Sequence, residues 1–213
     1  MNFKVDYAGS QSHTFFAPQE DEILKHWRKG NYYEARKGEL LDLIYPYDIG
    51  CYVDIGAHWG NHAAFMAPRV KELHLFEPRK DSIQVLKVNT KQWAEKCHYY
   101  EFAIGDEKGT VGLEQMHENN VGSTKATKSA YGSVYLLALD TIITERVDFI
   151  KIDVEGMEIP VLIGSAMTIM LHKPIVSVEV AENEAQIDKF MSDLGYKARG
   201  TKNATKTKLY LPK

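Results

Sequence analysis

The stretch C-Y-V-D-I-G-A-H-W-G-N, Cys51 to Asn61, constrains the fold of this chain more than any other. Apolar Tyr52, Val53 and Ile55 read as a strand that ends in Asp54, Gly56 and Gly60 and passes straight into a helix-compatible segment, His62 to Ala67. Such a turn is a ligand site by construction. Glycines let the backbone approach a bound molecule, and the helix start presents unpaired N–H groups to anything anionic. Glu77 closes the next strand, Glu72 to Phe76, 21 residues after Gly56. Doubly wound folds place an acid for ribose hydroxyls at about that interval, so the two signals together predict an adenosine-bearing cofactor.

A dinucleotide fingerprint requires G-x-G-x-x-G, because pyrophosphate lies against bare backbone. Here His58 takes the place of the second glycine and Asn61 that of the third. S-adenosylmethionine carries no phosphate and asks less of the loop. Asp54, just ahead of the first glycine, suits the cofactor's ammonium or the loop's own N–H groups. The motif therefore favours a methyl donor over a nicotinamide.

The segments V-D-I-G-A-H-W-G-N (53–61), L-F-E-P (75–78), A-I-G-D-E-K-G (103–109), L-A-L-D-T-I-I (137–143), D-F-I-K-I-D-V-E-G-M-E (148–158), V-L-I-G (161–164) and P-I-V-S-V-E (174–179) make the reading specific. In this order they resemble the FkbM-type S-adenosylmethionine-dependent methyltransferases, over roughly residues 50–180. One departure is His58, where the family usually has asparagine. The resemblance implies a class I methyltransferase fold and transfer of a methyl group to a hydroxyl of a sugar or other small metabolite. It also implies cofactor contacts from Asp54, Gly56, Ala57, His58, Gly60, Asn61, Glu77 and Asp153. At the end of the third strand, Phe102, Ala103 and Ile104 would wall the adenine and Asp106, just past it, would meet its amino group; otherwise Gly105-Asp106 is only a turn.

A length of 213 residues suits one α/β domain, divided here into an N-terminal arm with helices (1–48) and the cofactor domain (49–213). The formal charge of −3 gives no drive toward nucleic acid or acidic membranes. No apolar run approaches the ~18 residues of a membrane span, and Met1 to Ser10 lacks the order of a signal peptide, so a soluble cytoplasmic protein is expected. Cys51 and Cys97 lack metal-ligand spacing and read as buried free thiols. No metal is assigned, and the oligomeric state is left open.

Along the chain, helices are expected over Glu20–Lys29 and around Leu40, Leu41 and Ile44. Tyr33 and Glu34 between them either touch the ligands or simply pack a loop. After Asn61 the β-α alternation predicts a doubly wound, mostly parallel sheet with helices on both faces. The expected elements are a helix capped by Asp81, a third strand His98–Ile104, and a strand Val134–Leu139 with Asp140 capping a short turn. Then come a strand Phe149–Asp153, one helix through Ile159, Leu162, Ile163, Ala166, Ile169 and Met170, and a strand Ile175–Val180. A last helix and an antiparallel hairpin, Lys197–Leu211, finish the chain. Polar residues 116–133 read as a long loop, a lid or acceptor-recognition element, in which Asn120, Gly122 and Ser123 resemble a family N-x-G-S element. His117 has a pKa suited to proton transfer, or is a surface histidine.

Asp153, Glu155 and Glu179 fall at the carboxyl ends of strands, where open α/β sheets bind ligands. They could act as general base, as clamps on acceptor hydroxyls, or as oxygen ligands for magnesium or calcium. Lys151 opposes a base role by neutralising one of them; alternatively Glu155-Gly156 caps a helix and Glu179 pairs with Lys151. The expected partner is thus a small hydroxylated substrate. Three rival readings remain: a nucleic-acid methyltransferase using Lys125, Lys128, Lys202, Lys206 and Lys208, an NAD-dependent oxidoreductase, and a binding module that retains the cleft without turnover.

Overall fold

The computed structural model describes residues 1–7, 12–35, 39–180, 183–200 and 207–213. The chain opens with β1 (Asn2–Val5) and β2 (His13–Phe16), an antiparallel pair, followed by α1 (Leu24–Trp27) and α2 (Leu40–Ile44). The helix expected over Glu20–Lys29 is reduced to Leu24–Trp27. Asp21 closes a turn ahead of it, its Oδ1 accepting from Ile23 N at 3.0 Å, while its Oδ2 accepts from Val121 N at 2.7 Å, far along the chain.

Next come β3 (Cys51–Ile55), α3 (Asn61–Met66), β4 (Glu72–Phe76), α4 (Lys80–Asn89) and β5 (Cys97–Tyr100). Asp81 lies inside α4 rather than capping it, and holds the Arg79 guanidinium through two bonds, 2.6 and 3.0 Å. The strand expected over His98–Ile104 is broken. Its first part is β5, and its second, β6 (Ala103–Ile104), pairs with a different sheet.

The segment expected as a loop is mostly sheet. β7 (Gly109–His117) and β8 (Asn120–Lys128) form an antiparallel hairpin turning at Glu118-Asn119, and β9 (Val134–Leu137) pairs with β7 and β6. Only Val111, Val121 and Ser123 are buried in the hairpin's two strands, too few to write an apolar alternation. The pairing is held by its backbone ladder and by side chains from outside the hairpin rather than by its own buried face.

β10 (Phe149–Ile152) leads to α5 (Glu158–Gly164), α6 (Ala166–His172), β11 (Ile175–Glu179), α7 (Glu184–Asp193), β12 (Tyr196–Gly200) and β13 (Thr207–Pro212). The single helix expected after β10 breaks at Ser165, and its outward side carries Ile163 and Met170, which the periodicity had placed inside. Asp140 does not cap its own turn. Its carboxylate accepts from Met167 N, Thr168 N and Thr168 Oγ1, at 2.7–3.0 Å, and so caps α6 across the fold.

The main sheet has the order β12-β13-β11-β10-β3-β4-β5, parallel except where β13 runs antiparallel to both its neighbours. Helices cover both faces. α3 and α4 pack with the N-terminal elements on one, α5, α6 and α7 on the other. Parallel strands buried on both sides are nearly all apolar, as β3 and β10 are, and their charged exceptions Asp54 and Lys151 are buried as well. Val5, Phe15, Leu24 and Trp27 share a core with Ala63 and Phe65, so the N-terminal segment is continuous with the sheet's packing. Cys51 and Cys97 are buried and free.

Candidate active site

The loop after β3 is held in shape by two left-handed glycines. At Gly56 (φ +85°) a Cβ would stand 1.8 Å from the Asp153 carbonyl oxygen, so only glycine lets the loops after β3 and β10 meet. At Gly60 (φ +87°) a Cβ would stand 2.8 Å from Leu86 Cδ1, so glycine there sets α3 against α4. Between them His58 adopts φ +47°, and beyond β10 Glu155 does the same. Such conformations are costly for side chains and gather at functional sites. Both of these line one cavity of about 270 Å³ beyond the carboxyl ends of β3, β4, β10 and β11.

Glu77, at the end of β4, forms one wall of it. Its Oε2 accepts from His58 N and its Oε1 from Arg79 N, both at 2.9 Å. Burial nonetheless pushes the carboxyl up to about 7, against the pull of those two N–H groups. Each oxygen keeps a lone pair for a further donor, the donor set a vicinal diol supplies.

At the other wall, Lys151 Nζ donates to Asp54 Oδ1 (3.2 Å), Asp153 Oδ2 (3.0 Å) and the Gly56 carbonyl (3.3 Å). Burial opposes the charge on Asp153, but the Lys151 ammonium and hydrogen bonds from Glu179 and Lys151 outweigh it and hold the carboxyl well below its usual range. The Asp153 charge and hydrogen bond, with burial, push the Glu179 carboxyl far up, so within this pair the proton is favoured on Glu179. Glu155 is raised by burial and by Asp153, and has no cation as close as Lys151 is to Asp153. Among the three acids it is the one whose carboxyl is raised without a hydrogen bond to another of them.

The cavity brings together Gly56, Ala57, His58, Asn61, Glu77, Ala103, Ile104, Asp153, Glu155 and Glu179 from the residues singled out in the sequence. It does not bring in four others. Asp54 lies beneath it, sealed against Lys151. Gly60 is behind the loop. Asp106 faces outward in an ion pair with Lys128 at 2.8 Å, which holds its carboxyl below the usual range. His117 is exposed at the end of β7, outside the cavity.

Asn61 also spends its amide internally. Its Oδ1 accepts from Trp27 Nε1 and Tyr33 N, and its Nδ2 donates to the Tyr33 carbonyl, tying the 31–35 segment to α3. Tyr33 reaches the cavity, whereas Glu34 is a structural acid held by His62 (3.0 Å) and Thr207 (2.8 Å).

Several lining residues were not singled out by sequence reasoning. Arg79 Nη1 donates to Gln115 Oε1 (2.9 Å) and Thr124 Oγ1 (3.1 Å), latching the hairpin to the end of β4. Asp21 latches it from the other side. Leu113 and Met157 complete the apolar wall. Arg79 stands two residues after Glu77, the one local signal available; the others become neighbours only through the hairpin. In the proposed basic surface, Lys128 pairs with Asp106 and Glu107 and Lys208 with Glu184 and Asp188, while Lys202 and Lys206 lie outside the described residues. No helix among the described residues is long and apolar enough to cross a membrane.

Solved structures share this architecture. An FkbM methyltransferase from Methylobacillus flagellatus KT superposes with a TM-score of 0.57 over 77% of this chain at 18% identity; the chain spans 44% of that protein's length. A candidate rRNA methylase from Clostridium thermocellum gives 0.53 over 80% of this chain and 90% of its own, at 11% identity. At such identities the likeness establishes the class I methyltransferase fold alone. No curated protein matches the sequence. The model of the methyltransferase FkbM domain matches residues 54–198. As that match takes in more than half of its residues, the chain belongs to the FkbM methyltransferase family.

Proposed function

We propose that the protein is an S-adenosylmethionine-dependent O-methyltransferase acting on a hydroxyl of a small metabolite such as a sugar. The observation that carries this reading is the cavity itself, with a diol-accepting carboxyl, Glu77, on one wall and the Asp153, Glu155 and Glu179 group on the other. The residues fit the cofactor: Glu77 would hold the ribose hydroxyls, Phe102, Ala103 and Ile104 would sandwich the adenine, and anionic Asp153 would favour a cationic centre nearby. When bound, the cofactor supplies a methyl carbon on a sulfonium, open to in-line displacement by an acceptor oxygen.

What remains for the chain is alignment and removal of the acceptor's proton. Glu155 takes that proton, and Asp153 and Tyr33 orient the acceptor. Glu179, whose carboxyl Asp153 and burial push far up, serves as a donor rather than a base. Of the five lysines in the nucleic-acid reading, Lys128 and Lys208 are paired with acids, which weighs against it, and family membership favours methyl transfer over hydride transfer.

The test is transfer of a labelled methyl group to a panel of sugars and other hydroxylated metabolites, with cofactor affinity measured in parallel by isothermal titration. Glu155→Gln should lower kcat by about 10²-fold or more while cofactor affinity holds. Absence of cofactor binding by the parent protein would overturn the assignment. Binding without transfer to any acceptor would favour a module that merely keeps the cleft.

A further inference from the structure

A second cluster of ligand-type side chains sits at the amino ends of the central strands, the opposite edge of the sheet from the cavity. Cys51 opens β3 and faces Glu72, which opens β4; His74 is two residues on and pairs with His98 of β5. Because strand side chains alternate, Glu72 and His74 project to the same face as Cys51. One ligand atom from each of Cys51, Glu72 and His74 lies within 4.8 Å of the others. His98 Nε2 is 2.7 Å from Glu72 Oε1, and its ring stacks on His74 at 4.8 Å.

His74 is the informative member. It is 4% exposed, and its Nε2 has no hydrogen-bond partner among the described residues, the Glu72 carboxylate being 3.6 Å away. Its Nδ1 is 3.0 Å from the Tyr100 hydroxyl. If Nδ1–H donates to Tyr100, Nε2 keeps its lone pair and turns it on a carboxylate. Two acceptors facing one another beside a thiol call for a cation. A ring nitrogen fixed from behind by an oxygen is also how metal-bound histidines are oriented.

We propose that Cys51, Glu72 and His74, with His98 as the fourth ligand, form a binding site for zinc or a similar divalent transition metal. Sulfur and imidazole select such an ion over magnesium or calcium, which prefer oxygen alone. Tetrahedral zinc, with bonds of about 2.0–2.3 Å, needs its ligand atoms roughly 3.3–3.8 Å apart. The cluster must therefore tighten by about an ångström. Glu72 and His98, 35% and 48% exposed at their side chains, are free to close that distance. Burial, with the charges of Glu72, Asp148 and Glu145, pushes the Cys51 thiol up to about 12. Metal uptake displaces that proton from sulfur, and the same carboxylates favour a dication beside the resulting thiolate. The ion would clamp β3, β4 and β5 together behind the cavity. Spacing along the sequence misses this site because its ligands come from three parallel strands.

The proposal is independent of the methyl-transfer reading and is tested with cobalt(II) on the full chain after treatment with a chelator. One equivalent should bind, with a thiolate-to-cobalt charge-transfer band and the visible bands of tetrahedral cobalt, and zinc should displace it. Cys51→Ser should abolish the charge-transfer band, whereas Cys97→Ser, in the other core cluster, should keep it. His74→Gln and His98→Ala should each weaken binding at least about tenfold, and Tyr100→Phe by about tenfold through the ring it orients. Circular dichroism confirms the fold of each variant, and the exposed His98→Ala carries the test if Cys51→Ser does not fold. No uptake by the folded parent, or uptake unchanged in the histidine variants, would overturn the site.

Discussion

Glu77 combines a buried carboxyl with a position that asks it to be charged. Its folded carboxyl titrates near 7 against an ordinary 4.5, because burial outweighs the two backbone N–H groups it accepts. The unfolded chain therefore gives up this proton first, and stability falls as pH rises from about 4.5 to about 7, by roughly 3 kcal/mol in all. Glu77→Gln removes that cost and forfeits one backbone hydrogen bond, about 1 kcal/mol. Above pH 7 the variant should thus be more stable than the parent by roughly 1–2 kcal/mol in urea unfolding, while binding S-adenosylmethionine at least about tenfold more weakly. A variant that is less stable at that pH would refute the account of burial. Glu77 was legible in the sequence because its spacing from Gly56 is local to one β-α-β unit. Asp21 and Arg79 were not, since nothing near them in the chain marks their partners on the hairpin.

At the level of elements, the β7–β8 hairpin is what the sequence concealed. Its strands carry Gln, Glu, Thr, Lys and Ser where a half-buried strand would alternate, and a polar run of that length reads as a loop. Two side chains outside it supply the order that its own burial does not: Arg79 grips Gln115 and Thr124, and Asp21 accepts from Val121 N and Gly122 N. These latches close the hairpin over the cavity, to which Leu113, Asn120, Val121 and Thr124 contribute. Asp21→Ala leaves the buried Val121 N–H without its acceptor, a cost of about 1–3 kcal/mol. Hydrogen exchange should accelerate through residues 120–126 while the strands of the main sheet stay protected. Uniform acceleration across the protein would mean that Asp21 stabilises the whole fold rather than this one element. The break between α5 and α6 escaped the sequence for a similar reason: its cap, Asp140, comes from a distant turn.

Across the whole molecule, the parallel sheet was written in the sequence because every β-α repeat closes locally, and the antiparallel finish was expected because the order of the last helix and two strands matches the usual finish of this fold. The charge network that joins those repeats was not, since it depends on register. Lys151↔Asp54 and Lys151↔Ser177 are paired positions on β3, β10 and β11, and this register sets the ammonium among Asp54, Asp153 and the Gly56 carbonyl. Lys151 is thus the only cation bonded to two acids that three strands bring together at the base of the cavity, among the described residues. Burial lowers Lys151, yet the carboxylates hold it above its ordinary range, and it holds Asp153 below. Asp153, being depressed, stabilises the fold above its ordinary value of 3.8 and loses that contribution as pH falls through its folded value. Lys151→Met keeps the length of the stem and removes the charge, leaving Asp54 and Asp153 buried without it. At neutral pH this should cost about 3–5 kcal/mol in urea unfolding. Without the ammonium, buried Asp153 loses the interaction that holds its carboxyl low, and burial makes it bind a proton more tightly in the folded state than in the unfolded one, so the deficit should shrink toward acid and widen as pH rises. A deficit that is constant with pH would assign the loss to packing of the lysine stem instead, and would detach the sheet's register from the electrostatics of the site.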